Sequence, residues 1–107
     1  VSPHVVKYAV SLARASRPDS SEATPLIKKY AQWGAGPRAS QYMLLGAKAL
    51  AVMQGKSAPT ANDIRQVAPL ILQHRIILNY TAIADDITTA DLVTDVLKGV
   101  REPAYSS

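Results

Sequence analysis

The sequence predicts a mainly α-helical fold: four helices with at most a short, vestigial two-stranded sheet. Three observations lead there. Apolar residues recur at helical spacing in four separate segments. Several of these begin or end on residues that cap helices. The 107-residue chain, 48% hydrophobic and 19% charged, has the balance of one soluble globular domain.

The first helix opens at Ser2-Pro3, a favoured N-cap followed by proline at the first helical position. Val5, Ala9, Leu12 and Ala13 form its apolar face, widened by Val6 and Tyr8. Pro18 stops it, and residues 17–21 read as a loop. Residues 24–33 carry Leu26, Ile27, Tyr30 and Trp33 and fit either one short helix or a strand, ended by Gly34 and Gly36. The second main helix spans Pro37 to Gln54, with Gly36 as N-cap and Gly55 at the glycine position beyond its end. It is apolar almost all round, which predicts a central helix packed on several others. Gly46 inside it, poor by propensity, predicts close packing against a neighbour.

Thr60 caps the third main helix, with Asp63 three places on as the partner of a capping box. Ile64, Val67, Ala68 and Ile71 form its inner face, and Pro69 removes the donor for the Arg65 carbonyl and predicts a kink. Residues 75–80 have the β-branched content of a strand able to pair with the 27–33 segment, and 81–88 read as loop. Thr88 or Thr89 caps the last helix, which buries Leu92, Val93, Val96, Leu97 and Val100 before Pro103 ends the fold.

Composition narrows the function. There is no cysteine, hence no disulfide, thiolate metal site or cysteine nucleophile. The longest nearly apolar run, Tyr42 to Met53, contains Lys48 and falls well short of the roughly 20 residues of a bilayer span. No secretory signal is visible, so a cytoplasmic setting is expected. The chain begins at Val1, which points to a piece of a longer protein. A net charge of +4 permits an anionic partner, but the cations are scattered, apart from the pair Lys28-Lys29. Nucleic acid is therefore not expected as a partner, although a small basic nucleic-acid-binding domain or a helical adaptor is the alternative reading.

Several motifs are decoys. Gly55-Lys56-Ser57 imitates the end of a phosphate loop, but the required earlier glycine is Leu50 and the preceding segment is helical. Asn79-Tyr80-Thr81 fits a glycosylation acceptor, a pattern common by chance. His4 and His74 have no ligand-spaced partners, and Asp85, Asp86 and Asp91 lack the glutamate and glycine of a calcium loop, so no metal site is expected.

The informative segment runs from Trp33 to Gln41. A helix N-terminus offers unpaired amides and partial positive charge. Gly-x-Gly-Pro keeps that end open, and Arg38 sits in its first turn, where a cation opposes the dipole. Dipole and guanidinium together make a receptor for an anion, especially phosphate; the structural alternative is an Arg38 that reaches a nearby acidic side chain.

The order Tyr8-Ala9-Val10-Ser11-Leu12, Ser16-Arg17, Gly34-Ala35-Gly36-Pro37-Arg38-Ala39-Ser40, then Gly55-Lys56, Asn62-Asp63-Ile64, Ala68-Pro69 and His74-Arg75 resembles the C-terminal lid of MoxR-family AAA+ ATPases. The likeness covers nearly the whole chain. It implies that residues 1–107 are a single domain, a lid fragment with its core at 3–103, of the AAA+ lid type of helical bundle. It implies that Arg38 is the sensor-2 arginine, reaching the terminal phosphates of ATP, with Pro37 and Ala39 beside the nucleotide and Tyr8 or its helix on the adenine side. Gly36 departs from the family's usual serine. The family's Walker A, Walker B and arginine-finger elements are absent, so this chain alone has no catalytic residues and should not hydrolyse ATP. The resemblance further implies ATP and Mg²⁺ as cofactors of the full-length protein. Its partners would be the protein's own N-terminal nucleotide-binding domain, a homo-oligomeric ring, and clients bearing von Willebrand factor A domains matured in a chaperone-like way.

Overall fold

A computed structural model describes residues 3–100. The order is α1 (Pro3–Ala15), α2 (Pro25–Tyr30), β1 (Ala31–Trp33), α3 (Ala39–Met53), α4 (Ala61–Gln73), β2 (Ile77–Leu78), α5 (Tyr80–Ala84) and α6 (Thr89–Gly99). The four predicted helices are α1, α3, α4 and α6, and the small sheet is present. The cap expected at Ser2 and the stop expected at Pro103 lie outside the described residues.

The predicted face of α1 is the buried one: Val5, Tyr8, Ala9, Leu12 and Ala13 all enter the core. There they meet Ile27, Met43, Ile64, Leu72, Leu92 and Val96, each at most 1% exposed. Residues 24–33 satisfy both expectations in succession. Thr24 caps α2 through its side-chain oxygen, which accepts from the Ile27 amide, and Pro25 occupies the first turn. The chain then straightens into β1, which runs antiparallel to β2 with Ala31 opposite Leu78 and Trp33 opposite Ile77. Two steps on β1 face one on β2, so the ladder carries a bulge at Gln32.

Two expectations need correction. The segment 81–88 is not simply loop. Asn79 caps a short helix, α5, its Oδ1 accepting from the Ala82 amide while its Nδ2 donates to the Lys29 carbonyl. Asp86, at φ 58°, closes that helix in the left-handed position, with the Ile87 amide returning to the Ala82 carbonyl. Nor is the 37–54 helix the central one. Regular α3 starts at Ala39, and only Ala39, Met43, Ala47 and Ala51 are buried. Tyr42, Leu45, Val52 and Met53 are exposed, because α1 and α4 pack on one side and no described element covers the other. The middle position belongs to α4, which packs on α1, α3 and α6 and continues helical through Pro69.

The α3–α4 hairpin is antiparallel. Val67 lies opposite Gly46, where an added Cβ would sit 3.4 Å from its side chain, and Lys56 meets Asp63 across the turn. Gly55, at φ +74°, ends α3 as predicted, with Lys56 N–H bonded to the Ala51 carbonyl and Gly55 N–H to that of Val52. The capping box of Thr60 and Asp63 is complete, and Thr88 with Asp91 forms a second.

Asp63 is fully buried and holds this turn. Lys56 Nζ donates to its two oxygens at 2.8 and 3.0 Å, and the Thr60 amide donates to Oδ2 at 2.9 Å. Burial alone would raise the carboxyl, but the bonds from Lys56 and Thr60 outweigh it and hold the group below the ordinary carboxylate value of 3.8. A depressed native pKa gives stability that is complete above the unfolded value and lost as pH falls through the native one. Melting temperature should therefore drop below about pH 4. Asp63→Asn should melt lower at pH 7 and lose part of that acid dependence. An acid limb identical in both proteins would contradict this.

Candidate functional site

The α3 N-terminus is built by a close crossing of two backbones. Gly34 lies against the end of α1 so tightly that a Cβ there would overlap the Ser16 carbonyl oxygen and stand 2.5 Å from Arg17 Cα. Ser16, itself buried, is held by a bond from its hydroxyl to the Ala13 carbonyl. Ala35 is buried and anchors the next step. The chain then turns outward at Gly36, which has open space around its missing Cβ, and the Ala39 amide closes a turn onto the Gly36 carbonyl.

This places the predicted residues differently from one another. Pro37 and Arg38 are exposed, whereas Ala39 is in the core at 0% exposure. Arg38, rather than Gly36, is the N-cap residue of α3 (φ −83°, ψ −8°), and no side chain caps this end. Side-chain oxygens do cap α2, α4, α5 and α6. An uncapped end leaves first-turn amides and their partial positive charge facing outward. Among the described residues the Arg38 side chain has no ion-pair partner, so the structural alternative of a local acidic partner is not what the fold shows.

Tyr8, expected on the nucleotide side, is buried, and its hydroxyl accepts from Arg65 Nη1 at 2.7 Å. Two other cations border the α3 entry: Arg14 and Arg17 line a shallow depression with Gly36, Pro37 and Ser40. Their ion pairs, with Glu22 at 4.0 Å and Asp19 at 3.9 Å, are loose and exposed. Sequence reading also gave no role to Arg75, whose guanidinium lies 4.6 Å from the centre of the Tyr42 ring. No local signal marks that contact, because the antiparallel hairpin creates it.

The decoys have structural employment. Lys56 is engaged by Asp63, Asn79 caps α5, Asp85 accepts from the Tyr30 hydroxyl at 2.9 Å and Asp91 completes a capping box. Among the described residues no group of three acidic or histidine side chains is placed to hold a metal, and no helix is long and apolar enough to cross a membrane. The uncapped helix end, the open glycine and the unpaired arginine suit an anion such as a nucleotide phosphate. They offer no carboxylate for its Mg²⁺.

The site is an uncapped helix entry with an exposed, unpaired arginine, set in a small helical bundle. The AAA lid domain family matches residues 23–96, and the chain belongs to that family. It is 32% identical to the chaperone MoxR1 of Mycobacterium tuberculosis over 96% of this chain and 27% of that protein. It is 29% identical to the uncharacterized protein YeaC of Bacillus subtilis over 71% of this chain and 24% of that one. The crystal structure of a protein from Cytophaga hutchinsonii, provisionally assigned as an ATPase, superposes with a TM-score of 0.88 at 33% identity, over 96% of this chain and 31% of its own. The chain thus spans about a quarter to a third of the relatives it matches. The resemblance to the lid of MoxR-type ATPases is borne out, and with it the mainly helical lid fold.

Proposed function

We propose that residues 1–107 act as the sensor-2 lid of a MoxR-like AAA+ ATPase, with Arg38 directed at the terminal phosphates of ATP held by a separate nucleotide-binding domain of the same protein. The observation that carries this reading is the unpaired, exposed Arg38 at the uncapped entry of α3, inside the run Gly34-Ala35-Gly36-Pro37-Arg38-Ala39. Pro37 shares that exposed edge. Ala39 contributes from behind, as the buried residue that fixes the helix entry. Gly36 in place of serine leaves the entry open, and since Arg38 and not Gly36 is the N-cap residue, no capping bond of α3 depends on that serine.

ATP with Mg²⁺ supplies the phosphoanhydride and its charge, and the nucleotide domain supplies the phosphate cradle. Arg38 orients and neutralises the terminal phosphates from the lid side, so phosphate loss weakens the tie between lid and nucleotide domain. This chain alone then hydrolyses no ATP. In the whole protein the nucleotide state moves the lid within a homo-oligomeric ring and drives chaperone-like maturation of clients with von Willebrand factor A domains, in the cytoplasm. The nucleic-acid alternative is the weaker one: Lys28 and Lys29, Lys48 and Lys98 stand on three different helices, and the arginines that do gather, Arg14 and Arg17 beside the α3 entry, border one shallow depression rather than an extended basic stripe.

The test is amide hydrogen exchange on the full-length ATPase. ATP should slow exchange from Arg38 to Tyr42 and leave α6 unchanged. Equal exchange at the α3 entry with and without ATP would contradict the reading.

A further inference from the structure

The α3–α4 hairpin brings a second arginine to the face that carries Arg38. Because the two helices run antiparallel, the end of α4 returns to the level of the first turns of α3. There the Arg75 guanidinium lies over the Tyr42 ring, 4.6 Å from its centre, within the roughly 6 Å of a cation–π contact. Tyr42 is one helical turn beyond Arg38, and residues four apart on a helix are neighbours on one face, about 6 Å between Cβ atoms. The Tyr42 amide bonds to the Arg38 carbonyl at 3.1 Å, which fixes that turn.

We propose that Arg75, docked on Tyr42, is a second phosphate-directed arginine that acts with Arg38 on the terminal phosphates of the bound nucleotide. The inference rests on the reading of Arg38 as phosphate-directed and adds a binding residue, Arg75, and a positioning residue, Tyr42. An aromatic face restrains a guanidinium without neutralising it, so all five N–H donors keep their charge and remain available at the ring's edge. Among the described residues neither Arg38 nor Arg75 has an acidic partner. The sequence offers none close by: around Arg38 no aspartate or glutamate occurs between Glu22 and Asp63, and around Arg75 the nearest along the chain are Asp63, held by Lys56, and Asp85, which accepts from the Tyr30 hydroxyl. Two unneutralised guanidinium groups on one face match an anion with several charges and several acceptor oxygens, as adjacent phosphates provide.

The experiment measures ATP, ADP and AMP affinity of the full-length ATPase by competition with a fluorescent nucleotide. Arg75→Ala should weaken ATP about tenfold, the effect of one charge-assisted bond, with less loss for ADP and none for AMP. Arg75→Lys should fall between, Tyr42→Leu should shift ATP affinity the same way, and Tyr42→Phe, which keeps the ring, should restore it. Lys48→Ala, on the outer side of α3, serves as the charge control. If Arg38→Ala weakens ATP and Arg75→Ala does not, Arg75 has no such role and the Arg38 reading stands. If neither matters, both fail. Equal losses for ATP and AMP would also overturn the proposal, since they would place Arg75 away from the terminal phosphates.

Discussion

Gly34→Ala should unfold this domain more readily than any other single methyl addition at its described glycines. The new Cβ would meet backbone, the Ser16 carbonyl and Arg17 Cα, rather than the end of a flexible side chain. Relief requires α1 to separate from the strand that leads into α3. Overpacking costs about 1–3 kcal/mol and sometimes more, and a backbone clash belongs at the upper end. For a domain of about this size, roughly 3 kcal/mol lowers the melting temperature by about 12–24 °C. The same methyl at Gly36 meets nothing within 4 Å, so Gly36→Ala is the matched comparison. Thermal unfolding by circular dichroism decides it. Equal melting temperatures for the two variants would show that the crossing of Gly34 and Ser16 does not hold the site.

That crossing also shows where the sequence stops being readable. The face of α1, the box at Thr60 and the glycine stop at Gly55 are local devices, set by spacing within one turn, and each is present; of the two caps open for α6, Thr88 or Thr89, it is Thr88, and Asp91 makes it a box. Residues 24–33 were ambiguous because they hold two elements. Thr24-Pro25 starts a helix, and only pairing with Ile77 and Leu78, far along the chain, turns its continuation into a strand. The helix α5 was hidden because Asn79 looked like an acceptor motif instead of a cap. The run in α3 misled for a physical reason. Apolar periodicity reports that a face is apolar, not that a partner in the same chain covers it, and Leu45, Val52 and Met53 have none among the described residues.

The site divides along the same line. Gly-x-Gly-Pro-Arg at a helix start marks Arg38 locally. That Gly34 presses on Ser16, that Ala39 faces inward and that Arg75 reaches Tyr42 are consequences of packing between distant segments.

On the proposed function, Arg38→Ala in the full-length protein is expected to leave the lid folded and to impair ATP use. The side chain is exposed, makes no capping bond and opposes the helix dipole, so its loss removes little stability. If it binds a terminal phosphate, the lost bond to a charged group is worth about 1.5–3 kcal/mol, or roughly 10- to 150-fold. Arg38→Lys should recover only part, because an ammonium cannot reproduce a two-pronged contact. Lys48→Ala is the appropriate control; Arg65 is not, since it bonds the buried Tyr8 hydroxyl and spans to the Leu97 carbonyl. The decisive measurement is steady-state ATP turnover of wild type, Arg38→Ala, Arg38→Lys and Lys48→Ala, with melting curves beside it. The account predicts turnover reduced at least tenfold in Arg38→Ala, partial recovery in Arg38→Lys, wild-type turnover in Lys48→Ala and unchanged melting throughout. Wild-type turnover in Arg38→Ala, or a loss matched by an unfolded lid, would contradict it.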